Sequence, residues 1–253
     1  MSRRAPHRRA LALLVPILLP LSTAPAAAQA PVDDPGYANL RTHPDTTVVL
    51  PEPTGPHLVG TTTYHWVDPD RPETATADPG DLRQLIAQLW YPAAPAADPV
   101  YATYFPALES MRGALKTRSH EFPRKIADDL AVLAAVRAHA TIDPPIDEPA
   151  LAPRYPVVLF SPGGNMSRHY HTALMQELAS HGYVAVSLSH PYVGWDVFPA
   201  GGFVKSIDWG LDHADPDSAA AAESRLADVL AGDVRLALER LAGLDRPGRF
   251  AGR

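Results

Sequence analysis

Five consecutive residues, Ser161-Pro162-Gly163-Gly164-Asn165, form the most chemistry-bearing pattern in the chain. Glycines at a strand end let backbone N–H groups converge near a helix N-terminus, and converging donors stabilise the oxyanion of acyl transfer. The same glycines suit an ordinary strand-to-helix turn that uses their dihedral freedom, and two adjacent glycines do not separate the readings. His190 ends a second apolar run, where α/β sheets carry functional loops; a hydrogen-bonded structural histidine fits there too. Tyr192, Trp195 and Phe198 follow it, able to wall a substrate pocket or to cover the sheet edge. His169 and His171 diverge on a helix, so they make no metal pair. Asp212, Asp215, Asp217 and Glu223 resemble a calcium loop, but Ala214 and Pro216 stand at ligand positions and Asp217 where glycine is needed. No metal and no cofactor is expected.

Several elements must position these residues. Pro156 to Phe160 is a short apolar run that leads into the glycine turn and predicts a buried strand. Tyr170, Leu174 and Leu178 then fall four apart on one helical face, with Gly182 as terminator. Tyr183 to Ser189 predicts another buried strand, and strand, helix, strand implies a parallel pair of α/β type. A long loop, His190 to His213, leads to Asp215-Pro216, an N-cap with proline at the first helical position. Leu226, Leu230, Val234, Ala237, Leu241 and Leu244 form one stripe of the helix that follows, which Gly243 or Pro247 should end. Upstream, Val59 to Val67 and Leu85 to Tyr91 predict an antiparallel strand pair joined by a loop with Pro69, Pro72 and Gly80. Between these and the glycine turn, Tyr101 to Ala138 shows helical spacing at Leu130, Leu133 and Ala134. It predicts a helical insertion packed on the sheet, with a lid over a pocket as the alternative.

The 28 prolines concentrate in connectors at Pro31 to Pro56, Pro92 to Pro99 and Pro144 to Pro156. The chain begins with Arg3, Arg4, Arg8 and Arg9, an apolar stretch from Ala10 to Leu21, and Ala28-Gln29-Ala30. This order predicts a secretory signal peptide over residues 1–30, cleaved after Ala30, and so a secreted or periplasmic protein. The apolar stretch is shorter than the ~20 residues of a membrane span, so no transmembrane segment is expected. A proline-rich linker over 31–57 and a single α/β domain over 58–253 complete the division. With no cysteine, a secreted chain must be stabilised by its core, which 46% hydrophobic residues can supply. A formal net charge of −6 and a pI near 6.0 argue against a nucleic-acid partner.

Three stretches taken in order carry a family resemblance: Tyr155 to Gly164, Leu178 to Val186, and Ser189-His190-Pro191-Tyr192. Leu89-Trp90-Tyr91-Pro92 and the segment from Val136 to Pro145 agree with them upstream. Together they resemble the platelet-activating-factor acetylhydrolase-like branch of the α/β-hydrolases. The resemblance implies an incomplete α/β-hydrolase fold: N-terminal strands, helical insertion, oxyanion strand-turn-helix-strand and a following helix. It further implies a secreted serine carboxylic-ester hydrolase that acts on a small-molecule or lipid ester through an acyl-enzyme. Gly164 then matches the oxyanion donor, with Gly163 and Asn165 beside it, while Pro162 stands where the family carries histidine. The family's G-x-S-x-G elbow is matched by no serine here: Leu159 precedes Ser161 and Leu178 precedes Ser180 at the position that needs glycine. Nucleophile, acid and base are therefore expected beyond Arg253, and the chain by itself is expected to be inactive. A non-catalytic exported binding module, or the product of a decayed gene, is the alternative.

Overall fold

The computed structural model describes residues 49–105, 135–148, 154–198, 202–212 and 214–244. The chain divides into two units, Met1–Thr46 and Thr47–Arg253. The first unit, with the expected signal peptide, lies outside the described residues. Strands β1 (Leu58–Pro72), β2 (Leu82–Ala93), β3 (Tyr101–Thr103), β4 (Arg137–Ile142), β5 (Val157–Phe160) and β6 (Val184–Ser189) form one sheet in the order β3-β4-β1-β2-β6-β5. Pairs β1/β2, β2/β6 and β3/β4 are antiparallel, whereas β1/β4 and β5/β6 are parallel. Helix α1 (Thr172–Ser180) follows a one-turn 3-10 helix (Arg168–His171), and the long helix α2 (Pro216–Leu244) follows a small hairpin, β7 (Asp196–Val197) and β8 (Phe203–Val204). No helix among the described residues is long and apolar enough to cross a membrane.

Alternation along β2 and β6 builds a core on each face of the sheet. Leu85, Leu89, Tyr91, Val186 and Leu188 pack with Leu236 and Ala237 of α2 on one side. Trp90 and Ala185 pack with Met175 and Ala179 of α1 on the other. Each such large apolar side chain contributes about 1.5–3 kcal/mol by leaving water. Helix α2 begins as the sequence predicts: the Asp215 carboxylate accepts from the Ser218 N–H at 3.1 Å, and Pro216 opens the helix. It runs past Gly243 to Leu244, so Gly243 does not end it.

The predicted antiparallel pair and the predicted parallel strands are present, but Pro69 and Pro72, expected in the joining loop, lie within β1, and other expectations also need correction. The ends of the expected helical insertion are strands, because Tyr101 and Thr103 pair across the sheet with Thr141 and Arg137; its helical-spacing residues Leu130, Leu133 and Ala134 lie outside the described residues. Strand β5 is half exposed rather than buried, Val157 being 56% exposed, since β6 is its sole neighbour among the described strands. The buried face of α1 is Thr172, Met175, Gln176, Ala179 and Ser180, while Tyr170 and Leu174 face outward. Polar partners turn the helix this way. Gln176 donates to the Pro51 carbonyl at 2.9 Å and accepts from the His139 N–H at 3.0 Å, and Ser180 binds the Gly55 N–H at 3.0 Å.

Candidate active site

Register brings the site together. Strand β5 runs parallel to β6 with Phe160 opposite Ser187, so Ser161 and His190, each the first residue after its strand, leave the sheet at the same end. Strand β2 is antiparallel to β6 and pairs Ile86 with Ser189, so its first residues, Arg83 among them, arrive at that end too. Helix α2 crosses there and supplies Asp233 from a buried position.

These four residues make one hydrogen-bonded chain. Ser161 Oγ lies 2.9 Å from His190 Nε2, and His190 Nδ1 lies 2.8 Å from Asp233 Oδ2. A carboxylate can only accept, so Nδ1 carries the proton donated to Asp233; in the neutral ring Nε2 then accepts from the Ser161 hydroxyl. Arg83 grips the same carboxylate with two donors, Nε at 3.1 Å and Nη2 at 2.6 Å, and Arg71 adds Nη2 at 2.7 Å. Arg83 also donates to Glu73 at 2.9 Å and to the Pro191 carbonyl at 2.8 Å, while Arg71 pairs with Asp68 at 2.5 Å. Burial by itself opposes charge on Asp233, but the hydrogen bonds from His190 and Arg83 and the Arg83 charge outweigh it and hold the carboxyl well below the ordinary carboxylate range.

The cluster leans negative. Its three carboxylates, Asp68, Glu73 and Asp233, face two guanidiniums, Arg71 and Arg83, so one negative charge is in excess while His190 is neutral.

The glycine turn sits beside this relay. Pro162 is buried, whereas Ser161, Gly163, Gly164 and Asn165 are exposed. An added Cβ at Gly163 or Gly164 would meet nothing within 4 Å, and neither residue has positive φ; the left-handed position of the turn is taken by Asn165, with φ 60°. Neither crowding nor dihedral demand therefore explains these two glycines. Their N–H groups find no partner among the described residues, while the Asn165 N–H is spent on the Val193 carbonyl at 3.0 Å. Among the described residues, the N–H groups of Gly163 and Gly164 are thus uncommitted and that of Asn165 is not.

The loop after β6 is held hard against the turn. The His190 carbonyl accepts from Val193 and Gly194 N–H at 3.1 and 2.9 Å, and Gly194 approaches Met166 so closely that a Cβ would lie 2.1 Å from its carbonyl oxygen. A second buried ion pair, Arg168 with Asp196, joins the 3-10 turn to the hairpin, and Ser189 donates to the same Asp196 carboxylate. Burial pushes Arg168 down to about 9, and burial with the Arg168 charge pushes His169 well below the usual imidazole value. The loop residues singled out from sequence have separate fates. His190 is a buried member of the relay, and the Tyr192 carbonyl accepts from Ile207 N–H and Trp209 Nε1–H. Trp195 stacks on Phe105 with Tyr170 edge-on at 5.4 Å, and Phe198 lies instead against His65 of β1. Asp233 and Arg83 were not foreseen. Their signal was an acid inside an otherwise apolar helical stripe and a lone arginine at the head of a mostly apolar strand with no other charge.

A mixed sheet clad by helices on both faces, with a glycine turn at the end of a parallel strand, defines the class as an α/β-hydrolase. The chain belongs to the platelet-activating factor acetylhydrolase, isoform II family, whose profile matches residues 43–192, more than half of its length. Among solved structures it is similar to a ferulic acid esterase from Streptomyces cinnamoneus, with a TM-score of 0.58 and 31% identity over 82% of this chain and 52% of that one. The chain thus spans about half the length of that esterase. No curated protein matches it.

Proposed function

We propose that this chain provides the oxyanion-binding part of a carboxylic-ester hydrolase that works through an acyl-enzyme, with the Gly163 and Gly164 N–H groups facing the developing oxyanion. One observation carries the reading: two exposed glycines that neither dihedral angle nor crowding requires, each with an uncommitted N–H at the end of a strand. Absence of side chains there serves an incoming group rather than the fold. Family membership and the esterase neighbour support the ester bond as the target. The names differ on the acid released, acetic in one and ferulic in the other, so the substrate class proposed is a small-molecule or lipid ester. Trp195 is the better placed of the two aromatic candidates to meet an acyl group, being on the loop pinned to the turn. In this reading the elbow serine, its acid and its base lie outside residues 1–253, which hold no G-x-S-x-G sequence. Export with removal of residues 1–30 belongs to the same proposal.

Gly164→Pro removes one donor. In the protein that carries this chain, kcat for p-nitrophenyl acetate should fall by about 10²–10³-fold with a smaller change in KM. An undiminished kcat in a folded variant would reject Gly164 as an oxyanion donor.

A further inference from the structure

Ser161 does not sit on an elbow, yet it meets the geometric demands on an activated nucleophile. Its Oγ is 2.9 Å from a ring nitrogen whose partner nitrogen is 2.8 Å from a buried carboxylate, and Ser161 itself is exposed. The polarity of the chain is set from the buried end: Asp233 fixes the proton on Nδ1, which leaves Nε2 to receive the hydroxyl proton. Behind the ring the Asp233 carboxylate is fixed within a cluster of three carboxylates and two guanidiniums. Exposed glycines whose N–H groups have no partner among the described residues follow within three residues at Gly163 and Gly164. Pro162, next to Ser161, has no N–H, so an oxyanion formed here would draw on those two glycines rather than on the adjacent residue.

We propose that Ser161, His190 and Asp233 form a nucleophilic relay of this chain's own, distinct from the elbow serine, that accepts acyl groups from small activated esters. The Ser161 Oγ bonds to the acyl carbon as its proton passes to His190 Nε2. The bond from that carbon to the alcohol oxygen breaks, and the departing oxygen takes the proton from Nε2. Water then gives a proton to Nε2 and its oxygen to the acyl carbon; the Ser161 ester bond breaks and the proton returns to Oγ. Asp233 stays ionised and holds the ring throughout. The proposal rests on the oxyanion reading of the glycine turn for the acyl step but not for the activation of Ser161.

The test treats the 253-residue chain with a fluorophosphonate probe and maps the label by peptide mass spectrometry. Phosphonylation of Ser161 is expected, absent in Ser161→Ala and slower by at least about 10²-fold in His190→Asn. A folded chain that takes no label at Ser161, or takes it equally fast without His190, overturns the relay. Because His190 is buried, a second variant guards against misfolding. The chain has no cysteine, so Ser161→Cys introduces a unique thiol. Its alkylation by iodoacetamide near about pH 6 should outpace that of the exposed control Ser224→Cys by at least about tenfold, as a base-paired thiol does. Equal rates overturn the proposal. The two readings fail separately: a labelled Ser161 together with unchanged ester turnover in Gly164→Pro sinks the oxyanion donors and leaves the relay standing.

Discussion

Asp233 binds three cationic or proton-bearing partners at once from a position with no exposed side-chain surface. Truncating one member of a buried ion cluster strands the others, and the loss is typically about 3–5 kcal/mol. Asp233→Ala should therefore lower unfolding stability by about that much, read as the shift of the urea midpoint at constant slope. A midpoint within error of the wild type would show that Arg83 and Arg71 find other partners. The carboxyl also makes stability depend on pH. Its folded-state pKa lies below the ordinary carboxylate value, so its contribution is complete above about pH 5 and fades as the pH falls below about 4. Below about pH 4 the midpoint of the wild type should drop further than that of Asp233→Asn, and parallel curves for the two proteins would count against the assignment.

At the scale of elements, the turn and the loop after β6 act as one piece, joined by the Asn165 to Val193 hydrogen bond and by the contact of Gly194 with Met166. The three glycines here answer to different demands, which makes a paired experiment decisive. Gly194→Ala would drive a methyl into the Met166 carbonyl and should cost about 1–3 kcal/mol, seen as a lower melting temperature. Gly163→Ala meets open space and should change stability by less than about 0.5 kcal/mol. Its effect should appear in ester turnover, where the methyl stands in the path of the substrate. Full activity in Gly163→Ala would leave the absence of a side chain there without a purpose.

Across the whole molecule, the sheet is covered on both faces by α1 and α2, but β5 has an open flank among the described residues and exposes Val157. Unpaired strand edges invite pairing with another chain. The 253-residue chain on its own should self-associate in light scattering, and Val157→Lys should shift it toward monomer. A monodisperse wild-type monomer would show that this flank is covered by other parts of the protein. Buried ion pairs, Arg83 with Asp233 and with Glu73 and Arg168 with Asp196, stand at the same end of the sheet as the glycine turn, so charge gathers there.

Local patterns in the sequence were enough for the strand, helix and strand around the glycine turn, for the Asp215-Pro216 start of α2, and for the family, because turn chemistry, capping and apolar runs act over a few residues. They placed His190 at a strand end but could not name its partners. Asp233 lies 43 residues away and enters only because α2 crosses the end of β6; Ser161 lies 29 residues away and enters because β5 and β6 share a parallel register. The elbow search passed over Ser161 because that template tests neighbours in sequence, whereas a relay is defined by neighbours in space. The same limit explains α1, where the apolar spacing of Tyr170, Leu174 and Leu178 marked one face while hydrogen bonds from Gln176 and Ser180 to residues 50–57 and 139 buried another. Periodicity states which residues can share a face. Only the packing of strand ends against a crossing helix decides which faces meet, and here that packing joins a serine, a histidine and an aspartate into one proton path.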